Sequence, residues 1–195
     1  VPDGVPLEDA AFGTLGAIAL NAHRASGIAL GDRVAILGVG LLGTLALRIA
    51  RAAGARVLAI DVDPGRLAIA AADGAEVTVG PADAAAAARA WTGRGGVDAV
   101  VVAAASKDDA PVALAGELVR RAGTVVALGD VPLSLPRRLY YAKEAVLRVA
   151  TSYGPGRYDP AYEEGGRDYP AAYVRWTAGR NLEAFLALLA SKSVR

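Results

Sequence analysis

The sequence predicts an α/β fold built on a doubly wound parallel sheet, that is, a sheet with helices packed on both faces. Three observations lead to this prediction. Short runs rich in Val and Ile alternate along the chain with longer runs rich in Ala and Leu. The short runs are apolar at most positions, as expected of parallel strands that are buried on both faces. Gly, Asp and Pro residues separate the two kinds of run and mark the turns between them.

The first elements can be assigned in order from the N-terminus. Residues 7–24 are mostly small and apolar, and we expect them to form a buried helix. Six strands are then predicted, because Val and Ile dominate each run and turn residues bound it. They cover residues 33–37, 56–60, 76–79, 99–103, 124–128 and 146–150.

Helices are predicted between the strands at residues 42–53, 66–72, 82–92 and 111–120, where Ala and Leu predominate and Gly stands near the helix ends. Strand, helix and strand at this spacing require right-handed crossovers, which distribute the helices over both faces of the sheet. Residues 152–173 are rich in Gly, Pro, Tyr and charges and are predicted to form a long loop. Residues 181–189 carry apolar side chains at helical spacing and are expected to form a closing helix.

Composition excludes several classes of protein. With 54% hydrophobic residues and a net charge of +1, the chain is not intrinsically disordered and carries no bulk charge for nucleic acid or a membrane surface. It has no cysteine and one histidine, His23, which excludes disulfide scaffolds, thiolate metal sites and histidine-rich metal sites. The longest uncharged stretch, residues 34–47, is shorter than the ~20 residues of a membrane-spanning helix, and no signal peptide is visible. We therefore expect a cytoplasmic protein.

A glycine turn follows the first predicted strand directly and opens the next helix, with Gly38, Gly40 and Gly43 in the pattern GVGLLG. In a dinucleotide-binding turn the first glycine permits the tight bend, the second lets backbone approach a pyrophosphate, and the third lets the helix pack on the strand. The helix then begins at Leu41 and Leu42. The free backbone N–H groups of this first turn and the positive end of the helix dipole favour phosphate.

Asp61 ends the second predicted strand, 18 residues after Gly43. A carboxylate at this place accepts hydrogen bonds from the adenosine ribose hydroxyls and repels a 2′-phosphate, which favours NAD over NADP. The neighbours Val62 and Asp63 offer no cation, whereas Arg66 could lie along adenine or in solvent. Two alternatives stay open: a tight turn without a cofactor, in which Asp61 is only a cap, and a site for S-adenosylmethionine.

These stretches resemble the cofactor domain of the medium-chain, zinc-type alcohol dehydrogenase superfamily. The resemblance lies in AAFGT (10–14), GDRV (31–34), GVGLLG (38–43), AGA (53–55), Asp61 and GA (74–75). The segment SYGPGRYDPAYEEGGRDYPAAYVRW (152–176) resembles the subgroup in which such a dehydrogenase is fused to a domain like glucose-fructose oxidoreductase. The resemblance implies a Rossmann fold and an NAD-dependent oxidoreductase. Such an enzyme transfers hydride between nicotinamide and an alcohol or carbonyl substrate, with sugars as one candidate class.

The resemblance also implies a missing part. In this superfamily a GroES-like domain precedes the cofactor domain and supplies most ligands of a zinc ion. The chain contains no such domain, opens at Val1 and lacks methionine, so we expect a piece of a longer protein. We accordingly expect no metal site here, catalytic residues that lie elsewhere, and no turnover by these 195 residues alone.

By position, the resemblance implies that the nicotinamide contacts the carboxyl ends of the fourth and fifth strands and the helix before the first. The residues concerned are Thr14, Ala104, Ala105, Leu128 and Gly129, with Asp130 beside them. Ligands bind at such strand ends in open α/β sheets. Each position also has an ordinary structural explanation, namely a buried hydroxyl bonded to its own helix, a packing alanine or a turn residue.

Three regions follow from this interpretation: a helical lead-in over residues 1–30, a dinucleotide-binding domain over 31–151, and a Tyr- and Gly-rich loop with a closing helix, packed on the same domain, over 152–195.

The sixth strand carries one charge, Arg148, and is predicted at an exposed sheet edge, which favours a homodimer joined through sheet edges. The Tyr-rich loop could instead cover that edge. The expected partners are NAD(H) and, in the whole protein, a small-molecule substrate, with no nucleic acid and no membrane. A truncated NAD-binding or dimerisation module without turnover is the alternative function.

Overall fold

In residues 1–93 and 95–194, the part of the chain that the computed structural model describes, six strands form one parallel sheet. The strands are β1 (Arg33–Leu37), β2 (Arg56–Ile60), β3 (Val77–Val79), β4 (Val97–Val102), β5 (Val119–Ala127) and β6 (Val146–Val149). Their order across the sheet is β3-β2-β1-β4-β5-β6, and every neighbouring pair is parallel. The order reverses between β1 and β4, which leaves a crevice at their carboxyl ends. The predicted doubly wound α/β fold is confirmed.

Helices precede the sheet, connect its strands and close the chain. They are α1 (Leu7–Ala10), α2 (Gly13–Ser26), α3 (Leu41–Ala52), α4 (Pro64–Ala72), α5 (Pro81–Thr92), α6 (Ala110–Leu118), α7 (Arg137–Lys143), α8 (Pro160–Glu163) and α9 (Ala178–Ala190). Among the described residues, no helix combines the length and the apolar character that crossing a membrane requires.

The central strands β1, β2 and β4 are buried on both faces, which explains why they are apolar at successive positions. Along β1, Val34 and Ile36 point into a core formed with α2, α3 and α9, while Ala35 and Leu37 point into a second core formed with α5 and α6. Side chains alternate between the two faces of a strand, so each face needs its own apolar set. Because β1 is buried in the middle of the sheet, the glycine turn that follows β1 is held at the sheet's centre.

Three predictions about element boundaries are wrong. The segment 7–24 is not one buried helix, because the chain breaks at Ala11 and Phe12, and α1 has no buried residue. The acidic sequence LEDA stays in solvent, and only α2 carries the small residues that pack. The helix predicted at 111–120 ends at Leu118, because β5 begins early and pairs Val119 with Val97 before a register shift. The segment 152–173 contains α8 and is therefore not a loop throughout.

Helix α9 packs against α2 through two glycines of α2. A side chain on Gly16 would overlap the ring of Phe185, and one on Gly13 would lie 2.7 Å from Leu182 Cδ1. Hydrogen bonds extend this contact to the segment after β6: Asn21 Nδ2 donates to Thr151 O (3.2 Å), and Asn181 Nδ2 donates to Tyr153 O (2.8 Å). The start of the Tyr-rich segment is thereby tied to both helices.

Candidate functional site

The glycine turn stands at the carboxyl end of β1 and has two positions that only glycine fits. Gly38 has φ +88°, in the left-handed region, and a Cβ there would lie 2.6 Å from Ala104 N. A Cβ on Gly43 would overlap the carbonyl oxygen of Gly38. Both glycines are therefore required by the packing of the protein itself, with or without a ligand.

Gly40 differs, because nothing in the protein requires a glycine there. Its φ of −68° is open to any residue, and the nearest atom to an added Cβ would be Arg66 Nη1 at 3.9 Å. The space above this glycine is empty of protein. A backbone left bare toward open space is what the close approach of a pyrophosphate requires.

Helix α3 begins immediately after this turn without a capping side chain. Gly40 is its N-cap residue, and the first turn, which includes Leu41 and Leu42, contains no acidic side chain. The first N–H groups of a helix have no intrahelical partner, and the helix dipole adds positive charge at this end. The start of α3 therefore offers hydrogen-bond donors to an anion.

Asp61 follows β2 beside the glycine turn and is buried. Its Oδ2 accepts a hydrogen bond from Val39 N (2.8 Å), inside the turn, and its Oδ1 accepts one from Asp63 N (3.0 Å). The half-exposed Arg66 places Nη1 3.8 Å from Asp61 Oδ2 and Nε 3.7 Å from Asp63 Oδ2. Asp61 thus fastens the glycine turn to the end of β2, which is the capping role that the sequence left open beside ribose binding.

A cavity of about 830 Å³ opens between the glycine turn, the carboxyl ends of β2 and β4, and the start of α6. Of the residues predicted from the sequence, Gly38, Gly40, Asp61, Arg66, Ala104 and Ala105 line it. The cavity is also lined by residues that were not predicted from the sequence, namely Ser106, Asp108, Leu114 and Glu117. The charged lining is mainly acidic, since three carboxylates face it and Arg66 is the cation among its lining residues.

The other predicted residues lie outside this cavity wall. Leu128 and Gly129 both donate backbone N–H groups to Val102 O (2.9 and 2.8 Å), and a side chain on Gly129 would overlap Ala104 O. They therefore stand beside the predicted alanines, where β4 and β5 end. Thr14 is exposed in the first turn of α2, so its hydroxyl is not the buried group that the ordinary explanation expected.

The donor set for a metal is poor. Within the described ranges, no group of three or more His, Cys, Asp or Glu side chains could hold a metal ion. The sequence has no cysteine, and its one histidine, His23, lies near the end of α2 outside the residues that line the cavity. These residues do not form a zinc site.

Comparisons with known proteins agree with this geometry. A sequence model of the family described as zinc-binding dehydrogenase matches residues 42–164. Alcohol dehydrogenase of Geobacillus stearothermophilus is 36% identical over 137 residues, which cover 70% of this chain and 40% of that protein. This chain thus spans less than half of that relative's length.

Solved structures show the same likeness. The alcohol dehydrogenase TADH from Thermus sp. ATN1 superposes with a TM-score of 0.77 at 26% identity, covering 100% of this chain and 51% of that chain. A putative zinc-binding dehydrogenase from Sinorhizobium meliloti 1021, solved bound to NADP, has a TM-score of 0.73 at 25% identity and covers 98% and 52% of the two chains. The chain corresponds to about half of each structure.

Proposed function

The chain belongs to the zinc-binding dehydrogenase family, and from that premise we propose that it is the part of an NAD-dependent oxidoreductase that holds the nicotinamide cofactor. The observation that carries the proposal is the bare backbone of Gly40, which faces open space beside the uncapped start of α3 and an 830 Å³ cavity. A bound nicotinamide supplies hydride-transfer chemistry, and the protein binds and orients it. The family membership argues against the S-adenosylmethionine alternative.

We assign the binding roles by position. The glycine turn, with Leu41 and Leu42 at the start of α3, holds the pyrophosphate, and Asp61 and Arg66 face the adenosine ribose. At the other end of the crevice, Ala104, Ala105, Leu128 and Gly129 contact the nicotinamide together with Thr14. The match to alcohol dehydrogenases supports an alcohol or carbonyl substrate for the whole protein.

The zinc that the family name implies does not fit the described residues, as the donor set above demonstrates. We therefore derive no step of a reaction through zinc. The fusion to a domain like glucose-fructose oxidoreductase, which the resemblance of residues 152–176 implies, stays a prediction, as does the division of the chain into three regions.

The charges around the cavity favour NAD over NADP. The cavity presents the carboxylates of Asp61, Asp108 and Glu117 against the single cation of Arg66, and that guanidinium is shared between Asp61 and Asp63. A dianionic 2′-phosphate beside Asp61 would meet like charge at close range, which is unfavourable. We therefore propose NAD as the cofactor.

Titration calorimetry with the chain should give tighter binding of NAD than of NADP by at least about tenfold. Asp61→Asn should weaken NAD binding by about 1–3 kcal/mol through the lost charged hydrogen bonds, and should narrow the difference between the cofactors. Asparagine keeps an acceptor for Val39 N–H, so the turn is preserved better than with alanine. Asp3→Asn, which changes an exposed carboxylate outside the residues that line the cavity, is the control and should leave the ratio unchanged. Tighter binding of NADP by the unaltered chain would overturn the assignment.

The free edge of β6 supports a homodimer joined through sheet edges. The edge side chains Val146 and Val149 are 43% and 59% exposed. Ala150 N donates to Ala127 O on β5 (2.9 Å), so by strand alternation the N–H of Val149 points away from β5 toward the open edge. Pairing with the same strand of a second copy would satisfy this donor across a two-fold axis.

Val149→Pro removes that outward donor and should convert the dimer to a monomer in sedimentation equilibrium. Val149→Thr keeps the N–H and the branched shape, so this control should remain dimeric. A monomeric unaltered chain at tens of micromolar, or a dimer that survives the proline, would contradict the edge as the interface.

A further inference from the structure

A second groove lies at the opposite end of the sheet from the proposed cofactor site. Helix α3 starts at the glycine turn and runs back toward the start of β2, so its last residues lie at the amino ends of the strands. There, α3, the end of α2 and the side of α9 enclose about 530 Å³. The walls are apolar, formed by Leu20, Ile28, Ile49 and Leu188 with small alanines between them. The two cavities share no lining residue.

Two guanidinium groups contact the indole of Trp176, which lines this groove together with Arg24. The Cζ atoms of Arg24 and Arg175 lie 3.3 Å and 4.0 Å from the centre of the Trp176 ring. In the described part of the chain, no carboxylate stands within ion-pairing distance of either arginine. Arg24 donates instead to the neutral side-chain oxygen of Asn181. Two cations therefore meet here without a counter-charge.

The pKa values of Arg24 and of the neighbouring His23 reflect burial and the unpaired positive charge. Burial, and then the charge of Arg175, lowers the pKa of Arg24 to about 10. Burial, and then Arg24, lowers the pKa of His23, which also lines the groove, so its imidazole is neutral at pH 7. Like charges held together disfavour the charged form of each other, and a nearby anion would relieve that cost.

An ordinary structural role explains part of this arrangement. Arg24 lies in the last turn of α2, where a cation complements the negative end of the helix dipole. That role accounts for one arginine. Contact with the Trp176 ring accounts for the position of Arg175. Neither this contact nor the helix end supplies a carboxylate for the two arginines or fills the open apolar groove.

We propose that this groove binds a small amphipathic carboxylate, with its apolar chain among Leu20, Ile49 and Leu188 and its carboxylate at Arg24 and Arg175. The volume lies within the range of ~300–1,000 Å³ that small-molecule sites occupy. Guanidinium groups pair with carboxylates through two parallel hydrogen bonds, and burial of the chain adds the hydrophobic contribution. The inference does not depend on the proposed cofactor function, because the two sites are separate.

Fluorescence of Trp176 tests the proposal directly. The sequence has two tryptophans, so Trp91→Phe leaves Trp176 as the sole reporter in the lining of the groove. Titration with octanoate should change its emission along a saturable curve, at the same midpoint with and without saturating NAD. Octanol, which has the same chain without the charge, should bind at least about tenfold more weakly.

Substitutions of the two arginines test whether their charges bind the carboxylate. Arg24→Gln and Arg175→Gln, made in the same background, should each weaken octanoate binding by at least about tenfold. Arg175 is exposed, so its variant keeps the test valid even if Arg24→Gln disturbs the packing of α2 on α9. Arg138→Gln, an exposed arginine on α7, is the matched control and should bind as before. No saturation at millimolar octanoate, or equal binding of octanol, would overturn the proposal. Binding of an acidic amphipathic peptide of Glu, Leu and Ala without binding of octanoate would overturn it as well.

Discussion

Replacement of Gly43 by alanine is expected to destabilise the fold by roughly 1–3 kcal/mol, the range found for overpacked sites, and to abolish NAD binding. Alanine is the better helix former by about 1 kcal/mol, which acts in the opposite direction. The clash outweighs this gain in unfolding free energy, because the added methyl would overlap the backbone oxygen of Gly38. Both the turn and the start of α3 are backbone here, so they cannot move aside as a flexible side chain could. Urea unfolding and calorimetry with NAD measure the two effects.

Two further glycine variants separate folding from binding. Gly40→Ala should keep the stability of the unaltered chain, since its φ of −68° suits alanine and the nearest atom would lie 3.9 Å away. It should nevertheless weaken NAD binding by at least about tenfold, because the methyl enters the space that a pyrophosphate needs. Gly80→Ala, where an added Cβ meets no atom within 4 Å, should change neither quantity by much. Unaltered NAD binding in Gly40→Ala would remove the main support for the proposed function.

Replacement of Phe185 by alanine is expected to cost about 3–5 kcal/mol of unfolding free energy, the range for buried Phe-to-Ala changes. Phe185 is 1% exposed and joins α9 to α2, where its ring fills the place that a side chain on Gly16 would take. Few residues near Gly16 can fill the resulting cavity, because α2 is made largely of small residues along this face. The change should appear as a lower midpoint in urea unfolding.

Leu182→Ala is the matched control for this prediction. Leu182 lies on the same helix and faces the same partner, but it is 38% exposed, so its truncation should cost clearly less. Equally small losses in the two variants would contradict the prediction and would mean that α9 contributes little to the folded core. A much larger loss for Phe185→Ala would show that the closing helix belongs to the cooperative unit formed by the sheet.

The parts of the fold that could be predicted are those that local sequence specifies. The bounds of β1 and β2 match their predictions, because each is a short apolar run bounded by turn residues and buried on both faces. The early start of β5 was missed because Arg120 and Arg121 continue a helix-like run, and only the pairing of Val119 with Val97 draws them into the sheet.

The candidate site likewise contains residues that local sequence predicts and residues that only the fold brings together. The glycine turn could be predicted because the backbone geometry of the turn requires glycine at Gly38 and Gly43, and the sequence pattern shows both. Asp108 and Glu117 could not be predicted as lining residues, because only the fold brings α6 and the residues just before it to the cavity. The groove at Trp176 could not be predicted either. Arg24 and Asn181, which are hydrogen-bonded beside it, are 157 residues apart in the chain.

The double hydrogen bonding of Asp61 has an evolutionary consequence. On the proposed function, a lineage that came to prefer NADP would have to lose this carboxylate. A replacement without a side-chain acceptor would leave the buried N–H of Val39 unpaired, at a cost of about 1–3 kcal/mol. A change of cofactor preference in descendants of this chain would therefore favour residues that keep an acceptor without the charge, such as Asn. Any other replacement would need a second substitution that restores the turn.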